Sequence, residues 1–122
     1  MYKIVSMRFL QFIILLLIVG CTPLETTSDD EIIAPSVFTP NGDGRNDVFE
    51  VISKNGNKVA LKIYTRAGVL VFSIEAERCR WDGYSLSGQE MATGIYYFTA
   101  ETIEIYDSSA KVAKNGYFYL QR

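Results

Sequence analysis

From about residue 33 onward the chain is a series of short apolar runs, each broken by turn-forming residues, and no stretch sustains a 3.6-residue period. An amphipathic helix needs roughly ten or more residues with apolar positions three and four apart, whereas a strand needs only about four to eight with alternation. This part of the chain is therefore limited to an all-β domain, a sandwich or a small barrel. Ser36-Val37-Phe38 predicts a brief strand, stopped by Pro40 and the Asn41-Gly42-Asp43-Gly44 cluster. Val48 to Ser53 predicts the next, and Asn55-Gly56-Asn57 a turn. In the run from Val59 to Thr65, Val59, Leu61 and Ile63 alternate with polar positions, Lys58 and Lys62 falling on the outward side. Val69 to Ile74 is apolar at consecutive positions, the pattern of a central strand. Ile95 to Tyr106 is long and aromatic. Its inward set begins as Tyr96, Phe98 and Ala100 and changes parity to Ile103 and Ile105, which predicts a bulge near Glu101 and Thr102. Asp107-Ser108-Ser109 predicts a turn into a last strand, Lys111 to Leu120, where Gly116 marks a second bulge. The expected total is six or seven strands.

The first twenty residues read differently. Lys3 and Arg8 precede a twelve-residue run, Phe9 to Gly20, that is apolar except for Gln11. Twelve helical residues span about 18 Å, short of a hydrocarbon core of about 30 Å. A charged start and a short apolar stretch make an export signal, with Met7 as an alternative start. The run stops at Cys21, and Ile18-Val19-Gly20-Cys21 resembles the lipobox of bacterial lipoproteins. That resemblance implies cleavage before Cys21 and acylation of its thiol and amine, giving a membrane anchor. The expected organisation is 1–20 as signal peptide, 21–32 as lipidated cysteine and polar tether, and 33–122 as the β-domain. Within the tether, Ser28-Asp29-Asp30-Glu31 is either a solvated linker or similar to the acidic surface-export signals of Bacteroidetes lipoproteins.

Composition excludes several function classes. Net charge is −2 for the full chain, and loss of Lys3 and Arg8 with the leader takes it to about −4. Nucleic-acid binding rests on clustered Lys and Arg, and no such cluster is present. The chain has no histidine, which removes Ser-His-Asp, Cys-His and His-zinc chemistry. Asp43, Asp47, Asp82 and Glu90 are the carboxylates that a glycosidase pair would have to draw on, but no pattern brings two of them together. The expectation is a protein without catalytic activity or small-molecule substrate. Cys79 reads as a small buried apolar residue. Asn41, Asp43, Asn46 and Asp47 gather oxygen donors on one Gly-rich loop. They are either calcium ligands or the acceptors of Asx-turns, and the spacing fails the EF-hand rule at Arg45. No other cofactor is indicated. Recognition candidates are Trp81 and Asp82, with a buried Trp beside an Asp-Gly turn as the alternative, and Tyr97, Tyr117 and Tyr119 where alternation turns aromatic side chains outward.

One family shares these features in order. Phe38-Thr39-Pro40-Asn41-Gly42-Asp43-Gly44-Arg45-Asn46-Asp47 resembles the F-T-P-N-G-D-G-x-N-D opening of the gliding-motility-associated C-terminal domain, the type B sorting domain of the Bacteroidetes type IX secretion system. Leu61-Lys62-Ile63-Tyr64 is similar to its L-x-I-F/Y strand, Arg66-Ala67-Gly68 to its R-W/Y-G turn, and Val71-Phe72 to the V-F that follows. Trp81-Asp82-Gly83 matches W-D-G, Gly94-Ile95-Tyr96-Tyr97 matches G-x-Y-x, and Gly116 to Arg122 resembles its closing strand. Ala67 departs from the aromatic of that turn. The resemblance covers residues 34–122 and implies an immunoglobulin-like antiparallel β-sandwich that serves secretion and surface attachment, recognised by a protein of the secretion machinery. With the lipobox, it implies an outer-membrane lipoprotein. The alternative is an anchored β-sandwich binding module for a glycan or protein, calcium-assisted.

Overall fold

The computed structural model describes residues 30–104 and 111–122. They form eight strands and no helix: β1 (Ile32–Ile33), β2 (Val37–Phe38), β3 (Phe49–Ser53), β4 (Lys58–Thr65), β5 (Leu70–Ala76), β6 (Arg78–Trp81), β7 (Gly94–Glu104) and β8 (Ala113–Leu120). One sheet has the order β1-β3-β6 and the other β2-β8-β7-β4-β5. Their inner faces enclose the core of a β-sandwich. The lipobox, Cys21 and the expected turn at Asp107 lie outside the described residues.

Alternation decides which side chains enter that core. Val59, Leu61 and Ile63 of β4 are fully buried, as their spacing predicts, and Lys62 between them is exposed. Phe49 and Val51 of β3 and Cys79 and Trp81 of β6 close the opposite side. The centre is aromatic. Phe118 stacks on Phe49 at 3.9 Å between ring centroids and meets Trp81 edge-on at 5.9 Å. Phe38 lies 5.5 Å from Trp81 and 5.8 Å from Phe118.

The fold departs from the sequence reading in several places. The strand count is eight among the described residues, because β1 and the four-residue β6 carry too few apolar residues to stand out. The pairing is not wholly antiparallel, since β2 runs parallel to β8, with Val37 opposite Tyr119. β5 is an edge strand, not a central one. Ile63 pairs with Phe72 and Tyr64 with Leu70, so Val71 is an extra residue. That bulge reverses the facing of the chain, which is why consecutive positions are apolar. The bulge of β7 also lies farther along than expected. Thr102 is still buried, and the register skips Ile103 between the Val59–Thr102 and Lys58–Glu104 pairs. Gly116 makes no bulge. It pairs with Phe98 in unbroken register, and an added Cβ there would stand 3.0 Å from the Phe98 ring. The glycine leaves room for the aromatic side chain.

The tether boundary moves as well. Asp30 and Glu31, read as linker, are part of the domain. Asp30 is buried, and its carboxylate accepts from Ser53 Oγ at 2.7 and 2.8 Å, Asn57 Nδ2 at 2.8 Å, and the amides of Glu31 and Asn55 at 2.9 and 3.0 Å. Burial alone pushes this carboxyl up. The hydrogen bonds from Ser53, Asn57, Asn55 and Glu31 outweigh it and hold the group below its ordinary range.

Candidate functional site

The motif segments converge on one end of the sandwich. The loop between β2 and β3 is organised around Asp47. Its Oδ1 accepts from the amides of Gly42 at 2.9 Å and Asn41 at 3.2 Å, and its Oδ2 from Gly44 at 2.7 Å. Asn41 Oδ1 caps the Asp43 amide at 3.1 Å, and Asp43 Oδ1 the Arg45 amide at 2.8 Å, which are Asx-turns. Gly42 and Gly44 have φ of +76° and +81°, and Asn46, at +51°, is a residue type that tolerates this region. The Thr39 amide closes the loop on Asn46 O at 2.7 Å.

The loop does not suit calcium. Successive N–H groups form a concavity for an anion, and Asp47 already fills it. Asn41 and Asp43 likewise turn oxygens onto backbone amides, and Asn46 contributes a backbone conformation rather than a ligand. Among the described residues, no three His, Cys, Asp or Glu side chains are grouped for a metal ion. Asp47→Ala is expected to cost about 1–2 kcal/mol through three unpaired amides. Millimolar calcium is expected to leave the thermal midpoint of the wild-type protein unmoved. A rise in that midpoint, read by circular dichroism, would restore the metal reading.

Trp81-Asp82-Gly83 forms the facing turn. Trp81 is fully buried, so it is removed from the recognition candidates, and its indole N–H donates to Tyr84 O at 2.7 Å. Asp82 accepts from the Tyr84 amide at 3.0 Å, again as an Asx-turn. Gly83 has φ +90°, and a Cβ there would stand 2.9 Å from Arg122 Nη2. Arg122, which the sequence offered only as the end of the family's closing strand, ties this end together. It donates from Nη2 to Gly83 O at 3.1 Å and from Nε to Met91 O at 2.9 Å. It also ion-pairs with Glu90 at 3.1 Å and lies 5.6 Å over the Tyr84 ring. Next to it, Tyr96 donates its hydroxyl to Ala92 O at 2.7 Å; burial pushes its pKa up, and the Arg122 charge acts the other way.

The remaining candidates separate by face. Tyr97, Tyr117 and Tyr119 are exposed on the outer face of the five-stranded sheet, with Tyr97 and Tyr117 edge to face at 6.5 Å. Asp43, Asp47, Asp82 and Glu90 are each committed to the contacts just described. A shallow groove of about 470 Å³ between β5 and residues 85–91 contains no ionisable side chain. A second depression of about 310 Å³ has only Arg66 and Tyr96. Neither provides a general acid–base pair. Cys79 is buried and its thiol donates to Val59 O at 3.2 Å; burial pushes its pKa up, away from a reactive thiolate.

Residues 32–120 match the type IX secretion signal domain, CHU_C. The chain belongs to this family. The motif resemblance is thus borne out over the whole sandwich, and a type IX secretion signal domain places the chain among proteins of the cell envelope or beyond it. The family is one of secretion signals, not of catalysts. No curated protein matches the chain. Among solved structures, dimeric latent PorU from Porphyromonas gingivalis is similar over 83% of this chain and 10% of that one, at 16% identity and a TM-score of 0.46. This chain spans about a tenth of that protein's length. In this type IX secretion signal domain, the hydrogen bonds of the opening loop, the W-D-G turn and the closing arginine build and join one end of the sandwich.

Proposed function

We propose that this protein is a cell-envelope lipoprotein whose type IX secretion signal domain acts in surface display, secretion or attachment. The supporting observation is order along the chain: ten residues separate a lipobox ending in Cys21 from the start of the matched region at residue 32. Acylation of Cys21 anchors the chain in the outer membrane, with several acyl chains giving stable attachment at about 0.8 kcal/mol per buried CH₂. The sandwich presents its ordered end to an envelope protein of the translocation machinery. Placement in the cell envelope or beyond it follows from the family; the lipid anchor, the membrane location and the display role are this proposal's own.

The test fuses residues 30–122 to the C-terminus of a periplasmic reporter in a host with an active type IX system. Reporter outside the cell, lost in a translocation mutant, is the expected result. Reporter retained in the periplasm of the active host would remove the sorting role. In parallel, mass spectrometry is expected to find the acyl groups on an N-terminal Cys21, and Cys21→Ala is expected to abolish both that acylation and the cleavage before residue 21.

A further inference from the structure

The outer face of the five-stranded sheet carries an apolar platform at one end. Register places Val37, Tyr119 and Ile95 side by side in one row across β2, β8 and β7. The adjoining row holds Tyr117, Tyr97, Tyr64 and Leu70 across β8, β7, β4 and β5. Tyr117 is 68% exposed, Tyr97 45% and Tyr119 40%, with Val37 and Leu70 each at 46% and Ile95 at 39%. Taking about 200 Å² for a whole aromatic side chain, the platform exposes roughly 500 Å². A patch that large on a small domain marks a contact surface. It falls short of the roughly 800 Å² per partner that a stable pair of copies needs.

Charge and chain length identify what covers it. Lys62 lies on the same side of β4 as Tyr64, the exposed Arg66 follows in the turn just past the strand's end, and neither has an ion pair among the described residues. The acids of this face, Glu75 and Glu101, fall in the row beyond Lys62, away from the tyrosines, and Glu101 is paired with Lys111. An acidic protein thus turns a tyrosine platform edged with positive charge to the outside. Tyrosine, aliphatic groups and basic side chains together suit the boundary between phosphate headgroups and acyl chains. Nine peptide units separate Cys21 from Asp30, a reach of at most about 30 Å. The packed sheets are about 10 Å apart, so a chain leaving the far sheet at β1 can reach a bilayer lying against the platform. The anchor also makes this contact intramolecular, so a weak surface suffices.

We infer that the platform docks on the lipid surface that holds the protein's own acyl anchor, laying the five-stranded sheet against the membrane. This rests on the lipoprotein reading. Spin labels at Tyr117→Cys and, on the opposite face, Arg80→Cys test it in the acylated protein reconstituted in phosphatidylethanolamine–phosphatidylglycerol vesicles; the buried Cys79 stays unlabelled. The expected result is a several-fold higher ratio of oxygen to nickel-chelate accessibility at position 117 than at 80. That contrast is expected to shrink when Lys62→Glu is added. Acylated protein with both labels equally aqueous would overturn the docking alone. A label at 117 immobilised without lipid contact, with a dimer mass, would overturn it in favour of a second copy. Protein whose mass carries no acyl chains would overturn the anchor and the docking with it.

Discussion

Phe118→Ala is expected to destabilise the domain by about 3–5 kcal/mol, enough to leave much of it unfolded, since small domains have total stabilities of about 5–15 kcal/mol. Phe118 meets Phe38, Phe49, Trp81, Tyr96 and Phe98, with centroid distances from 3.9 to 6.3 Å. Five rings from four strands therefore lose a common neighbour, and no small movement of one of them refills the space. Tyr117→Ala, one residue earlier with its side chain outside, is expected to cost about 0.5–1 kcal/mol, chiefly its edge contact with Tyr97. Urea denaturation of the two variants separates them. Equal midpoints would mean that the aromatic centre does not hold the sheets together. The same contrast extends to export: a reporter fused to the Phe118→Ala domain should lose secretion, because a partner that reads a folded surface finds none.

Asp30→Ala is expected to cost about 2–4 kcal/mol, a large effect for a residue at the margin of a domain. The change removes the acceptor of hydrogen bonds from Ser53 Oγ, Asn57 Nδ2 and two amides, and two of the four come from buried side chains. The carboxyl lies below its ordinary range when folded, so its contribution is complete above about pH 4 and is lost as pH falls through the folded value. Urea midpoints of wild type and Asp30→Asn, followed from pH 7 to pH 3, should converge at the acid end. A gap that is constant across that range would exclude the carboxylate as its source.

Asp30 also shows where the sequence stopped being readable. It stands between Asp29 and Glu31 as one acid among several, and nothing local distinguishes it from a solvated linker. Its partners lie 23 to 27 residues away. The role of Arg122, as distinct from its place in the closing motif, was obscure for the same reason, since Gly83 is 39 residues distant. By contrast, β4 was legible because Val59, Leu61 and Ile63 repeat at the pleat's own period. The loop from Asn41 to Asp47 was legible as turn chemistry because Asx side chains cap amides only two to six residues away. Bulges fall between these cases. The apolar run through Val71 recorded one, but consecutive apolar residues look the same whether a strand is buried on both faces or reverses its facing at one extra residue.

The parallel pairing of β2 with β8 has a consequence for the timing of folding. Gln121 donates its amide to Phe38 O at 3.1 Å, and Tyr119 donates to Ser36 O at 2.9 Å, so the earliest strand of the large sheet has no ladder partner until the last strand arrives. A growing polypeptide that has emerged only as far as β7 lacks both that partner and Phe118. Closure of the sandwich must therefore wait until residues near Leu120 are free of the ribosome. Until then the domain remains an open chain, available to chaperones and to a translocation channel that passes unfolded polypeptide.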